Sequence, residues 1–148
     1  MAYTKLAYHI VFGTKRREKI ITPQLQSRLY RYIGGIISNL KGIPVEINGM
    51  PEHIHILTYV HPTLAISDFL RIIKSNSSKW VNELSDYNYN FNWASKYGAF
   101  TVSESQIENI RKYIREQEQH HAKMSWEEEL VNLLREHGIE YDEKYLWE

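Results

Sequence analysis

Within PEHIHIL, residues 51–57, two histidines stand one residue apart in an otherwise apolar run. Val or Ile would pack better in a buried strand, so His53 and His55 ask for a chemical reason. Side chains alternate along a strand, so both imidazoles leave one face while Ile54 and Ile56 leave the other. Two imidazoles at i and i+2 can share one metal ion, and a catalytic metal takes about three protein ligands with positions left open. The strand offers no third ligand. A helix read over 104–120 does: Ile107, Ile110 and Ile114 form its apolar stripe, and Tyr113 and Gln117 stand at i and i+4 beside it. Gln117 can present an amide oxygen to a hard cation, and Tyr113, one turn away, can attack a phosphodiester held by that ion. Taken singly, each piece has a plainer reading. An H-x-H pair on a strand is more often two satisfied histidines, and one of 11 tyrosines bordering a helix stripe is more often a packing residue.

The elements that must position these groups follow from periodicity and punctuation. KLAYHIVFGT (5–14) is apolar, β-branched and aromatic, and reads as a central strand ending in the basic KRREK. A helix follows over 22–42, with Thr22 as N-cap, Pro23 in the first turn, Leu25, Leu29, Ile33, Ile36, Ile37 and Leu40 at helical spacing, and Gly42 as terminator. Strands over 43–48 and 53–60 pair through NGMPE, where Asn48-Gly49 is a strong hairpin signal. A second amphipathic helix carries Leu64, Phe69, Leu70, Ile73, Trp80 and Leu84, and an aromatic, Asn-rich loop precedes a strand over 97–103. After the 104–120 helix, Ser125 caps a last helix closed by Gly138.

The order β-α-β-β-α-β predicts an α+β, ferredoxin-like or RRM-like antiparallel sheet with two helices on one face and added C-terminal helices. The other face is free for those additions, and function is to be sought where they cover it. No repeat or low-complexity segment interrupts this order. The expected division is a body over 1–124 and an acidic helix and tail over 125–148.

Composition narrows the chemistry. A chain of 148 residues, 43% hydrophobic, holds one domain with a real core. With no cysteine, disulfides, thiolate metal sites and thiol nucleophiles are excluded together, leaving oxygen and imidazole chemistry. No apolar run approaches the ~18 residues of a membrane span, and the start lacks the signature of a signal peptide, so a cytoplasmic protein without a membrane partner is expected. The zero net charge hides a split: 16 Lys and Arg against 10 Asp and Glu up to Met124, then 2 against 8 from Ser125. The +6 body suits a polyanion, and the −6 tail suits either a solvated helix or a cover over the basic surface that the polyanion displaces.

Five blocks in register carry a resemblance: YHIVFGTKRR, MPEHIHIL, ISDFLRIIKSNSSKW, WASKYGAF and YIREQ. Over roughly residues 3–121 the chain resembles the HUH single-tyrosine transposases of the insertion sequence 200/605 family and their REP-associated tyrosine transposase relatives. The resemblance implies that His53, His55 and Gln117 bind a divalent ion and that Tyr113 is the nucleophile. Two-tyrosine relatives space their tyrosines four apart, but Asn109 stands at that place, so a single-tyrosine mechanism is implied. Glu52 replaces the family's frequent Asp and keeps the charge, and the extension from Ser125 is more typical of the REP-associated relatives.

A His-His-Gln set would take Mg²⁺ or Mn²⁺ in the cell, although zinc binds such donors more tightly. The implied substrate is single-stranded DNA with hairpin or stem-loop ends, and the implied assembly is a homodimer. Lys15, Arg16, Arg17 and Lys19, with Arg71, Lys74 and Lys79 on the second helix, are the candidate phosphate contacts. Tyr87, Tyr89, Phe91 and Trp93 suit a local apolar cluster better than base stacking. Two rival readings stay open. A non-catalytic single-stranded nucleic-acid-binding module of the same RRM-like fold would place aromatic side chains on the first and third strands. A hydrolase of small phosphoesters would use water in place of Tyr113.

Overall fold

The computed structural model describes residues 2–147; Met1 and Glu148 lie outside the described residues. Four antiparallel strands form one sheet in the order β2-β3-β1-β4: β1 Ala7–Gly13, β2 Ile43–Met50, β3 His53–Tyr59 and β4 Gly98–Val102. Helices α1 Pro23–Asn39 and α2 Ile66–Glu83 cover one face. Their contact surface is the apolar phase of the strands, with Ile10, Phe12, Ile54 and Ile56 packed against Leu29, Ile33, Phe69 and Ile73. This is the predicted β-α-β-β-α-β arrangement, with α3 Ile107–Arg115, α4 Gln117–His121, α5 Trp126–Glu136 and α6 Glu143–Leu146 added after it.

The opposite face is covered by the added helices. Ile107 and Ile114 of α3 close over Ala7 and Leu57. Trp126, Leu133 and Leu134 of α5 close over Val11 and Phe100. The acidic segment is therefore part of a core, anchored by apolar burial and by a capping box at Ser125 and Glu128.

Three local expectations are corrected. The Asn48-Gly49 pair is not the hairpin turn: β2 runs through it, with Asn48 opposite His55 and Met50 opposite His53, so Pro51 and Glu52 make the turn. At Gly49 a Cβ would meet the His53 carbonyl oxygen at 2.2 Å, so the glycine serves a close strand approach. Gly42 does not end α1 by a left-handed turn, because Lys41 takes that conformation (φ 63°). Gly42 instead leaves room for the Tyr59 carbonyl, which a Cβ would meet at 2.7 Å. Finally, the helix over 104–120 is broken. It opens with a 3-10 turn, Glu104–Gln106, and Glu116 (φ −96°, ψ 26°) leaves helical geometry between Tyr113 and Gln117.

Candidate active site

His53 and His55 are fully buried on the face away from α1 and α2, joined there by His9 of β1. The ring nitrogens of each have separate partners. Nδ1 of His53 donates to Glu52 Oε1 at 2.7 Å, and Nδ1 of His55 meets His9 Nε2 at 2.8 Å. Fixing the Nδ1 edges leaves both Nε2 atoms directed at one point, which is how imidazole ligands are aimed. Glu52 thus orients an imidazole directly, and the turn that carries it is part of the site.

Gln117, also fully buried, reaches the same point, with Oε1 at 3.2 Å from His53 Nε2. The break at Glu116 swings it there, and Asn48 secures the break from β2. The Asn48 side-chain amide donates to the carbonyl oxygens of Ile114 (3.0 Å) and Arg115 (3.2 Å), the unsatisfied acceptors at the end of α3. The Tyr113 ring lies 5.9 Å from the His55 ring and 6.0 Å from that of His9. The structure therefore brings together His53, His55, Gln117 and Tyr113.

The centre of this group is a residue that sequence reasoning missed. Glu129 of α5 is fully buried, and its Oε1 lies 3.1 Å from His53 Nε2, 3.1 Å from His55 Nε2 and 2.8 Å from His121 Nε2. Its other oxygen accepts from the Gln117 amide at 3.1 Å and from the Tyr113 hydroxyl. Nothing local to WEEEL distinguishes Glu129 from its two acidic neighbours except its helical phase, which it shares with the buried Trp126 and Leu133. His121 lies against Glu129 as well, with its side chain 5% exposed.

The electrostatics follow from burial and from that carboxylate. Burial pulls the His53 pKa down, but Glu129 and Glu52 outweigh it and leave it above the ordinary value. For His55 burial prevails over Glu129, and the pKa falls to about 4. His9 is lowered by burial and by His55. Burial pushes Glu129 up, yet His121, His53 and His55 together hold it far below the carboxylate range. Tyr113 is raised well above an ordinary phenol, first by burial and then by the Glu129 charge.

The donor set suits a divalent ion. Ligand atoms of His53, His55 and Glu129 all lie within 4.8 Å of one another. At a metal–ligand distance of ~2.1 Å, adjacent octahedral ligands stand ~3.0 Å apart, close to the 3.1–3.2 Å separations found. Two imidazoles and a carboxylate oxygen make a set able to hold a divalent ion, with the Gln117 amide oxygen beside it.

The basic candidates divide by position. Lys15, Arg16 and Arg17 form a 3-10 turn just beyond Gly13, which pairs with His53 across the β1–β3 ladder, and Lys19 follows on the same exposed stretch. Arg17 stands 3.6 Å from Glu127 and stacks on Trp147. Lys74 is held inward, donating to the Ala94 carbonyl at 2.6 Å and lying over the Phe12 ring. Arg71 and Lys79 lie on α2, in the layer across the sheet from the histidines. Phe91 is fully buried and packs edge-on against Trp93 and Tyr87, the apolar cluster expected of that loop.

Comparison with known proteins agrees with the geometry. The family model described as "Transposase IS200 like" matches residues 2–117. The ISDra2 transposase TnpA of Deinococcus radiodurans is 29% identical over 120 residues, 76% of this chain and 84% of that protein. Among solved structures, a Deinococcus radiodurans transposase superposes with a TM-score of 0.60 at 24% identity, covering 78% of this chain and 93% of that one. A REP-associated tyrosine transposase bound to a REP hairpin gives 0.61 at 18%, covering 84% and 73%. Both share the fold. Glu129 and His121 lie beyond the last residue matched by the family model.

Proposed function

Since the chain belongs to the IS200-like transposase family, we propose that it nicks and rejoins single-stranded DNA through a 5′-phosphotyrosine on Tyr113, using a divalent ion held by His53, His55 and Gln117. The supporting observation is the convergence of these four residues, from β3, α3 and α4, on one buried point within a single chain. Glu129 belongs to the same donor set. When bound, Mg²⁺ or Mn²⁺ would draw charge off the non-bridging oxygens of the scissile phosphate.

The chain supplies orientation and the nucleophile. Glu52 and His9 aim the imidazoles, and Asn48 holds the end of α3 so that Tyr113 and Gln117 keep their places. Attack by Tyr113 forms the bond from its phenolic oxygen to phosphorus and breaks the bond to the 3′-oxygen. The phenol's proton ends on that oxygen, leaving a free 3′-OH. One phosphoester replaces another, so rejoining is the reverse step and needs no ATP. In the resting arrangement Tyr113 is a neutral phenol donating to Glu129, a contact that substrate must break before attack.

A stem-loop-bearing single strand is the substrate we assign, with Lys15, Arg16, Arg17 and Lys19 contacting phosphates beside the site. The non-catalytic alternative, a single-stranded nucleic-acid-binding module, calls for an exposed aromatic platform on β1 and β3. Here that face carries His9, Val11, His53, His55 and Leu57, all buried under α3 to α5.

Incubation with hairpin-bearing single-stranded DNA and Mn²⁺ should give a covalent protein–DNA adduct on a denaturing gel, lost entirely in Tyr113→Phe. A full yield of adduct or of cleaved product from that variant would overturn the mechanism. For the homodimer implied by family resemblance, we propose that each site works in cis. Mixing Tyr113→Phe with His55→Ala protein should then restore no cleavage, whereas recovery of about a quarter to half of wild-type cleavage would mean a site shared between subunits.

A further inference from the structure

A cavity of about 850 Å³ opens at the end of β1, bounded by the Lys15–Arg17 turn, by residues 92–98, and by α5 and α6. It adjoins the active site. Gly13 on its floor pairs with His53 in the β1–β3 ladder, and Trp126, one of its walls, stacks on the His53 ring at 4.1 Å with 6° between planes. A Cβ at Gly13 would come within 3.0 Å of the Trp126 indole nitrogen, so the glycine lets this partition close. The volume lies in the range that takes a small organic ligand of nucleotide size.

The lining combines cations with aromatic faces. Lys15, Arg16 and Lys96 stand with Trp93, Tyr97 and Trp147 around one space. Arg17 already displays what such a place binds: its guanidinium lies 3.6 Å from the Glu127 carboxylate and 4.6 Å from the centre of the Trp147 ring. Arg16 and Arg17 both hold left-handed backbone (φ 58° and 56°), a conformation that costs free energy in non-glycine residues and is concentrated at ligand-binding turns. Tyr97 is 40% exposed, with the Lys74 ammonium 6.0 Å from its ring centre.

We propose that this cavity is the subsite for the unpaired nucleotide adjoining the scissile phosphate, its base against Tyr97 and its phosphate on the Arg16 side. The proposal rests on the reading of the protein as a single-strand DNA transposase. It adds where the strand lies, and it makes α5 and α6, beyond the matched family region, a wall of the DNA site.

The test uses full-length protein and two fluorescent stem-loop oligonucleotides, one with and one without a single-stranded 5′ extension. The extension carries 2-aminopurine at the nucleotide next to the phosphate that the protein cuts, identified beforehand from the length of the cleaved product. Tyr97→Ala should weaken binding of the extended probe about tenfold and abolish the quenching of 2-aminopurine, while binding of the bare stem-loop is unchanged. Arg16→Gly removes the cation and relieves the backbone, so thermal stability should hold or rise while the salt slope of extended-probe binding falls by about one. Equal binding of the extended probe by wild type and both variants would overturn the subsite, and so would equal weakening of both probes. In either case a persisting Tyr113 adduct would leave the transposase reading standing. If neither probe binds wild-type protein and no adduct forms, the reading beneath the proposal fails and the subsite fails with it.

Discussion

The two faces of the sheet come from the same strands in alternate phase and solve opposite problems. Toward α1 and α2, Ile10, Phe12, Ile54 and Ile56 bury hydrocarbon, and any partner of suitable shape stabilises them. Toward α3, α4 and α5, His9, His53 and His55 are just as deeply buried, yet each ring nitrogen needs a partner in a particular direction. Apolar burial is non-directional and tolerant, whereas a buried polar group without its partner is costly. The first face is therefore built from two long helices of regular amphipathic pattern. The second is built from short, interrupted pieces, each delivering one directed group: Gln117 after the break at Glu116, Asn48 from the edge of β2, Glu129 from α5.

That contrast can be broken deliberately. Ile56→Ala on the apolar face should cost about 2–5 kcal/mol of unfolding free energy by chemical denaturation, while the Mn²⁺ affinity of the folded protein stays the same. If Mn²⁺ affinity fell in step with stability, the two faces would not be separable. Glu129→Gln should do the converse, lowering Mn²⁺ affinity by about 10–100-fold in calorimetric titration, since it removes the charged member of the donor set. Unchanged affinity would mean that Glu129 merely fills space. The smallest effect is expected for Asn48→Ala, about 1–2 kcal/mol from two lost hydrogen bonds to α3. It should also slow adduct formation at saturating DNA, because Tyr113 and Gln117 lose their anchor; normal adduct formation would reduce Asn48 to a stabilising residue.

The unequal legibility of the two faces has the same origin. Strand phase, the Thr22 and Ser125 caps and the helical stripes are set within a few residues of chain, and the structure keeps them. Spacing and the family resemblance single out Tyr113 and Gln117 but not the break between them, because it depends on Asn48, 66 residues from the Ile114 carbonyl it binds. The Asn48-Gly49 pair misleads for a related reason: a turn signal is local, and the demands of a packed neighbour override it. His55 meets His9 at a separation of 46 residues and Glu129 at 74, distances over which no periodicity carries information.

The order of residues by itself determined the β-α-β-β-α-β succession, the shared phase of His53 and His55, and the exclusion of thiol chemistry. All three are consequences of short-range geometry or of composition. Only the tertiary structure decided that an acidic C-terminal helix would pack into the core and place Glu129 at the meeting point of three imidazoles, an amide and a phenol. Burying a carboxylate is tolerable only where such partners surround it on every side, and those partners are assembled by folding from strands and helices far apart in the chain.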